Sequence, residues 1–275
     1  MSAPSPSLSP ERLQAFYERD PEVVLADAGW EAAHAALLDH LESGAVRAAE
    51  RRDDGRWVAV PWLKQALLVG FRRSAVEELP GPAFDKSAFP PRAFSLSDGV
   101  RLVPGGTAVR RGAHLGRGVI VMPPAYVNIG ACVGEGTLID SHALVGSCAQ
   151  IGARVHLSAG AQIGGVLEPV GALPVVVEDE AFVGGLVGLF VGVVVRRRAV
   201  LGAGVVLTGS TTIYDLTSGA ELRGEVPEGA VVVPGSRPAR GAHAERLGLQ
   251  LAAPVIVKYR DARTNAVTAL EDALR

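Results

Sequence analysis

An aliphatic residue recurs at every sixth position of this chain from residue 109 to residue 163. The series is Val109, Leu115, Val121, Val127, Val133, Ile139, Val145, Ile151, Leu157 and Ile163, and it resumes in phase at Val177, Val183, Leu189, Val195, Leu201, Leu207 and Ile213. A six-residue period fits neither an α-helix nor an ordinary strand, and it is typical of a parallel β-helix built from hexapeptide repeats. A sandwich of short strands with accidental spacing is the less favoured alternative.

Two further positions of the repeat support a solenoid. The fourth residue after each aliphatic one is small or aliphatic, as at Ala143, Ala161 and Val187, which predicts a second inward-facing position. The residue directly after the aliphatic one is often glycine, as at Gly146, which we expect where the backbone turns a tight corner. With 33 glycines and only 5% aromatic residues, the composition suits a narrow aliphatic core.

The sequence before and after the repeat predicts three units. Residues 1–100 form a small, mainly helical N-terminal domain, because helical spacing and helix caps recur there. Residues 101–236 form the β-helix, with loop excursions near 168–176 and 214–224 where the period breaks. Residues 237–275 supply a C-terminal strand and a short amphipathic helix.

Composition excludes several classes of protein. The net charge of −2 gives no basic surface for nucleic acid. Cys132 and Cys148 are too few for a disulfide framework and indicate a reducing compartment. The N-terminus does not resemble a secretion signal, so we expect a cytoplasmic protein. The apolar stretch 181–195 is shorter than the roughly 20 residues that span a membrane, and the repeat continues through it.

Longer motifs identify a family resemblance. The strings VMPPAYVNIGACVGEGTLIDSHALVGSCAQIG (121–152), VHLSAGAQIGGVLEP (155–169), TIYD (212–215) and PVIVKYRDART (254–264) closely resemble the tetrahydrodipicolinate N-succinyltransferase family of lysine and diaminopimelate synthesis. The likeness covers almost the whole chain. It implies a left-handed β-helix and a homotrimer with active sites between neighbouring solenoids. It also implies succinyl transfer from succinyl-CoA, a co-substrate and not a bound cofactor, to a cyclic dicarboxylate, with no metal ion.

The resemblance implies roles for particular residues. Arg101 matches the arginine that binds the dicarboxylate, since a guanidinium fork suits a carboxylate. Asp140 matches the aspartate that binds the amine and helps to remove its proton. Gly146, Ser147 and Lys258 match positions expected to hold the CoA. From the residues alone, an exposed arginine and a turn-forming aspartate are the simpler interpretations of Arg101 and Asp140.

His142 is a second catalytic candidate. It stands two residues after Asp140, where the family has an aromatic residue, and imidazole suits a general base near neutral pH. A solvent-facing turn histidine is the competing interpretation. His114 and His156 carry no comparable argument from sequence.

One segment departs from the family. After Phe-Ile-Gly the family continues Ala-Arg-Ser-Glu, whereas this chain has Gly185, Leu186, Val187 and Gly188. The loss of a carboxylate clamp and of a catalytic glutamate leaves three hypotheses open. The chain is a succinyltransferase of this family, an acyltransferase for a less anionic amine that suits an apolar Leu186–Val187 site, or a catalytically silent CoA-binding or scaffold trimer.

Overall fold

The N-terminal part of the chain is a helical unit with two small hairpins. A computed structural model describes residues 8–79, 83–261 and 266. The elements are α1 (Pro10–Tyr17), α2 (Pro21–Ala26), α3 (Trp30–Ser43), β1 (Ala49–Arg51), β2 (Trp57–Ala59), α4 (Pro61–Arg73), β3 (Val76–Leu79) and β4 (Ala83–Lys86). Helix α1 begins after Ser9, whose hydroxyl caps it by accepting a hydrogen bond from the Arg12 amide.

Two-residue strands build the solenoid that follows. They are β5 (Arg101–Leu102), β6 (Ala108–Val109), β7 (His114–Leu115), β8 (Ile120–Val121), β9 (Tyr126–Val127), β10 (Cys132–Val133), β11 (Leu138–Ile139), β12 (Leu144–Val145), β13 (Gln150–Ile151), β14 (His156–Leu157), β15 (Gln162–Ile163), β16 (Val176–Val177), β17 (Phe182–Val183), β18 (Gly188–Leu189), β19 (Val194–Val195), β20 (Val200–Leu201) and β21 (Val206–Leu207).

These strands stack into three parallel sheets. Face 1 contains β7, β10, β13, β16 and β19; face 2 contains β5, β8, β11, β14, β17 and β20; face 3 contains β6, β9, β12, β15, β18 and β21. The partners are equivalent residues of successive rungs, such as Val133 with Ile151 and Ile139 with Leu157. The predicted solenoid of parallel strands is confirmed. The stretch 181–195 lies in these strands, and none of the helices in the described residues is long and apolar enough to cross a membrane.

The six-residue series fills the interior. Every aliphatic residue of the series is buried in one continuous core. Most residues four positions on share that core, including Ala143, Ala161 and Val187. Burying one such aliphatic side chain contributes about 1.5–3 kcal/mol. The prediction of an apolar Leu186–Val187 acceptor site is therefore wrong for Val187, because its side chain lies inside the solenoid.

The N-terminal unit covers face 1 and one corner of the solenoid. Helix residues share a core with Ile129 and Cys148, which belong to turns that join face 3 to face 1. The Arg111 guanidinium pairs with Asp39 and Glu42 of α3. Face 2 has a smaller cover of a different kind, because its outward-facing Phe182 and Val200 share an apolar cluster with Val231, Val257 and Ala266.

The first interruption of the repeat lies against the N-terminal unit. Strand β16 begins at Val176, so the segment without strand structure is 164–175 and ends before the predicted limit of 176. The buried Lys64 ammonium of α4 donates to the Ala172 carbonyl. Leu167 packs against the helical core. This loop is thus held at the corner between face 3 and face 1.

The second interruption, predicted as a loop excursion near 214–224, is a β-hairpin. It pairs β22 (Thr212–Asp215) with β23 (Glu221–Arg223). The chain then continues through β24 (Glu225–Val226), β25 (Ala230–Pro238), α5 (Ala242–Leu247) and β26 (Gln250–Tyr259). Strand β24 extends face 1, β25 extends face 2, and β26 pairs with β25 and β22. The predicted C-terminal strand is therefore present, whereas the predicted C-terminal helix falls outside the described residues except for residue 266.

A buried carboxylate ties the hairpin to the C-terminal strand. Asp215 accepts hydrogen bonds from the hydroxyls of Thr217, Ser218 and Tyr259 at 2.8 to 2.9 Å. Burial raises the pKa of Asp215, but these hydrogen bonds outweigh burial and hold the pKa at about 2. The ionised carboxylate therefore stabilises the fold at pH values above the unfolded pKa of about 3.9.

We predict that Asp215→Asn lowers the free energy of unfolding by about 1–3 kcal/mol at neutral pH. Because the folded pKa is depressed, the difference from wild type should shrink as pH falls from about 4 towards 2. Urea unfolding of both proteins across this range measures it, with the exposed Asp53→Asn as control. A difference that stays constant with pH would contradict the assignment.

Candidate active site

The turns that join face 2 to face 3 form one continuous column, here called corner 2–3. It consists of residues 122–125, 140–143, 158–161, 184–187 and 202–205. The His142 amide donates to the Pro124 carbonyl, and the Leu186 amide donates to the Ala159 carbonyl. Asp140, His142 and Leu186, which sequence reasoning singled out separately, therefore lie in the same stack of turns.

In four of the five turns of this column, the third residue after the aliphatic position adopts a left-handed conformation; Pro124 is the exception. It is glycine at Gly160 and Gly204, but His142 has φ of 62° and Leu186 has φ of 59°. A side chain in this region costs about 1–2 kcal/mol. The turn geometry thus fixes the direction in which the side chains of His142 and Leu186 leave the solenoid.

Glycines directly after the aliphatic residues have a different physical reason from the one predicted. They avoid contact with the next rung. A Cβ on Gly146 would lie 2.2 Å from the Gly165 nitrogen, and one on Gly134 would lie 2.5 Å from the Ala153 nitrogen. The φ angles of Gly146 and Gly134 are not positive, unlike those of Gly160 and Gly204. The constraint is close backbone approach, not left-handed geometry.

Asp140 lies at the start of its turn, half-buried. Its Oδ1 accepts a hydrogen bond from the Ser141 amide at 2.7 Å, and its own amide donates to the Leu157 carbonyl at 2.9 Å. These contacts use one carboxylate oxygen. A carboxylate can accept further hydrogen bonds on its other oxygen, which suits it to receive a proton from an amine.

His156 is a neighbour of Asp140 that sequence reasoning missed. It lies on face 2, half-buried, and its ring stacks on Phe182 of the next rung with centroids 4.9 Å apart. Burial lowers the pKa of His156, and the negative charge of Asp140 partly opposes that effect. Only the stacking of rungs brings the two residues together, because they are sixteen positions apart in sequence.

His142 faces the other side of the same turn. Its side chain is exposed, and with Pro124, Tyr126 and Leu144 it lines a shallow depression of about 260 Å³ on face 3. The Gln162 side chain donates to the His142 carbonyl at 3.2 Å. Asp140 is thus flanked by one histidine on each adjoining face.

Arg101 stands at the base of face 2. It pairs with Ile120, which pairs in turn with Leu138, two residues before Asp140. Two strand spacings separate the Arg101 backbone from that of Leu138, or about 10 Å. Its exposed side chain makes no hydrogen bond or ion pair within the part of the chain that the structure describes. A guanidinium in this position can reach a carboxylate bound beside Asp140.

The three predicted CoA-binding residues do not join Asp140 within one chain. Gly146 and Ser147 are buried at the opposite edge of face 3, where the Val166 amide donates to the Ser147 carbonyl at 3.0 Å. Lys258 lies on β26 beside Val231, at the far end of face 2. One solenoid therefore holds the two groups of residues on separate edges.

The segment that departs from the family has two distinct surroundings besides the buried Val187. Leu186 is 74% exposed on corner 2–3, and its side chain lies over Gly160, where a Cβ would approach it to 2.8 Å. At Gly188 a Cβ would meet the Phe190 ring at 2.9 Å. The surface at this rung is consequently apolar, formed by Leu186 and Phe190.

The cysteine Cys148 and the arginines that follow β19 have structural roles. Burial raises the pKa of the Cys148 thiol to about 12, so this residue stays protonated and packs in the core. Arg196 pairs with Glu178 and Glu225, and Arg197 with Glu180.

Within residues 8–79, 83–261 and 266, no group of three or more His, Cys, Asp or Glu side chains could hold a metal ion.

Comparison with known proteins gives a consistent result. Residues 11–72 match the family model described as tetrahydrodipicolinate N-succinyltransferase N-terminal. The chain is 46% identical over 247 residues to the 2,3,4,5-tetrahydropyridine-2,6-dicarboxylate N-succinyltransferase of Nitrobacter winogradskyi, covering 86% of this chain and 87% of that protein. It is 45% identical over 249 residues to the enzyme of the same name from Idiomarina loihiensis, covering 87% of each.

A solved structure shows a more distant similarity. It is a putative 2,3,4,5-tetrahydropyridine-2-carboxylate N-succinyltransferase from Campylobacter jejuni, 16% identical, with a TM-score of 0.46 over 88% of this chain and 64% of that one. The sequence relatives are decisive, because they exceed 40% identity across nearly the whole chain. The chain belongs to the 2,3,4,5-tetrahydropyridine-2,6-dicarboxylate N-succinyltransferase family.

Proposed function

We propose that this chain transfers succinyl from succinyl-CoA to the amine of ring-opened tetrahydrodipicolinate, a step of lysine and diaminopimelate synthesis. The observation that carries the proposal is the 46% identity to a relative of that name over 86% of the chain. The geometry of corner 2–3 supports it, since Asp140 stands on an open edge with a free carboxylate oxygen.

The chemistry needs a base and a way to hold the acceptor. The acceptor arrives as an ammonium ion and must lose a proton before its lone pair can attack the thioester carbonyl. Asp140 takes that proton, directly or through one water. The tetrahedral adduct then breaks its carbon–sulfur bond, the nitrogen gives up its extra proton as the amide forms, and the departing sulfur takes up that proton so that CoA leaves as the thiol. Arg101 holds a carboxylate of the acceptor.

The separation of residues within one chain favours an active site shared between copies. Lys258 would bind the CoA arm when corner 2–3 of one solenoid faces the next solenoid, whereas the CoA contact predicted for Gly146 and Ser147 does not fit their burial within their own chain. Exposed apolar side chains at Phe190 and Val206 give that neighbour a surface to cover. We infer a homotrimer, in line with the family resemblance, with each site formed by two copies.

We also propose that the solenoid is left-handed, as the resemblance implies. The chain divides into a helical domain of residues 1–100, a β-helix of residues 101–236 and a C-terminal extension of residues 237–275, although β25 crosses the second boundary. The protein is cytoplasmic, which agrees with the two buried free cysteines.

A second candidate function keeps the reaction and changes the acceptor. The exposed Leu186 and the Phe190 ring over Gly188 replace polar groups of the family with an apolar surface. A less anionic amine would suit this surface. In this second candidate function, the choice of acceptor therefore depends on the side chains of a single rung of the solenoid.

We predict that Asp140→Asn lowers kcat/KM for acceptor-dependent CoA release about 10²- to 10⁴-fold, because the base is lost. His142→Ala should lower it less, since the His142 imidazole faces the depression on face 3. The measurement is thiol release from succinyl-CoA, and from acetyl-CoA, with and without tetrahydrodipicolinate.

The exposed Arg154→Ala serves as the control for surface substitution on a different corner. A larger loss in His142→Ala than in Asp140→Asn would assign the base to His142. No release from the wild type with any acceptor, together with retained CoA binding, would leave only the silent trimer.

We predict that Leu186→Arg combined with Gly188→Glu raises kcat/KM for tetrahydrodipicolinate, because both positions are restored to the polar residues of the family. The Phe190 ring must move aside, which costs little for the end of a side chain. Val187→Ser is the matched control and should not raise kcat/KM, since Val187 is interior. An unchanged kcat/KM in the double variant would show that the residues of this rung do not determine how well tetrahydrodipicolinate is used.

We predict that Asp140→Asn lowers the pKa of His156 further below its ordinary value. Burial already lowers that pKa, and the variant removes the opposing negative charge. Titration of the His156 ring by NMR measures the change, with Asp179→Asn as a control that removes a carboxylate from another corner. An equal pKa in wild type and Asp140→Asn would mean that the two side chains do not interact.

A further inference from the structure

A cavity of about 330 Å³ lies between the N-terminal unit and face 1, away from corner 2–3. The β1–β2 hairpin forms one wall, with Arg51 and Trp57, and the other wall is formed by β13, β16 and the turn that follows β16. Its size is at the lower end of small-molecule pockets, which span about 300–1,000 Å³. None of the residues assigned to acyl transfer lines it.

Gln150 is the buried polar group of this cavity. Its side chain projects outward from face 1, since the neighbouring Ile151 points into the core, and the residue is 3% exposed. Its Nε2 donates to the Cys148 carbonyl at 2.9 Å and, at longer range, to the carbonyls of Gly130 and Ala149. Its Oε1 has no hydrogen-bond partner in the described residues. A buried acceptor of this kind requires a donor that the protein does not supply, from a water or from a bound molecule.

Arg47 supplies a positive charge to the same cavity. Its Nε and Nη2 donate to the Cys132 sulfur at 3.2 and 2.9 Å. Burial raises the pKa of Cys132, so the sulfur is a neutral thiol and a weak acceptor. No carboxylate pairs with Arg47 within residues 8–79 and 83–261, whereas Arg51 is close to Glu178 and Arg197 pairs with Glu180.

The remaining polar groups balance this charge. The Glu178 carboxylate accepts hydrogen bonds from the Trp57 indole and from Arg196, at 2.9 and 3.0 Å. The Trp57 ring is thereby held in place at the wall. Asp179 accepts from the Ala153 amide through Oδ1 at 2.8 Å, and its carboxylate retains capacity for further donors. The lining thus carries an unpaired cation, an unpaired buried acceptor and negative charge.

We propose that this cavity binds a free α-amino acid. Its carboxylate binds the Arg47 guanidinium, its ammonium donates to Gln150 Oε1 on the Asp179 side, and its side chain packs on Trp57 and Val176. A simple anion would leave Gln150 Oε1 unsatisfied, and a simple amine would leave Arg47 unpaired. Only a ligand that carries both groups uses the whole lining. The site is separate from the proposed active site, and its occupancy does not depend on the reaction.

The test is direct binding to the full-length protein without CoA or acceptor. The twenty proteinogenic L-amino acids are screened singly by thermal shift, and the best is titrated by calorimetry. We expect at least one to bind with one site per chain. The amine formed by removing its carboxyl group and the acid formed by removing its amino group should each bind at least about tenfold more weakly.

Variants then locate the site. Arg47→Leu and Gln150→Met should each weaken binding at least about tenfold. Arg47 is exposed, so its variant keeps the test valid if Gln150→Met fails to fold. Arg117→Leu is the matched control, because it removes an exposed arginine outside the cavity, and it should bind as wild type does. Asp140→Asn should also bind normally, which separates this site from the active site.

Three outcomes would overturn the proposal. The first is no binding by any amino acid, which would mean that the cavity holds water. The second is equal binding of the deaminated acid, which would make Arg47 a site for any anion. The third is binding that persists unchanged in Arg47→Leu, which would place the ligand elsewhere.

Discussion

Each rung of the solenoid is held by aliphatic side chains that reach the interior at every sixth residue, and the turns between them have little freedom. Val183 and Leu189 remain buried in register, so the four residues of the turn between them have fixed directions. Leu186 must point outward and Val187 inward. The position of every side chain on the surface, including Asp140, follows from this phase.

The six-residue repeat also explains which features of the structure could be predicted from the sequence. Interior residues were predictable because burial repeats with the period. The six-residue period also predicts that Val187 points inward and Leu186 outward. The comparison with the family nevertheless treated these two residues as one site. His156 was not predictable, since its neighbour Asp140 comes from the adjacent rung and its partner Phe182 from the next one. Helix α2 and the β3–β4 hairpin were missed because segments this short carry too few residues for a periodic signal.

The chemistry that we propose takes place on the edges of the solenoid, whereas the apolar packing that stabilises the fold lies inside. Corner 2–3 brings together Asp140 and two histidines, and the opposite edge of face 3 holds Gly146 and Ser147. The loop 164–175 is fastened to Lys64 of the N-terminal unit, so within one chain it does not cover Asp140. The N-terminal unit covers face 1 instead, and its incomplete fit there creates the cavity beside Gln150. We therefore expect that substitutions of the outward-facing residues of corner 2–3 change the acceptor without disturbing the core.

The central claim is that acyl transfer takes place at corner 2–3, between two copies of the chain. A crystal structure with CoA and a non-reactive dicarboxylate analogue of the acceptor tests it most directly. The account predicts that the analogue lies within hydrogen-bonding distance of Asp140 of one copy, with a carboxylate on Arg101, and that the CoA thiol approaches from the groove shared with a second copy. An analogue bound away from Asp140, or a complete site within a single chain, would contradict it.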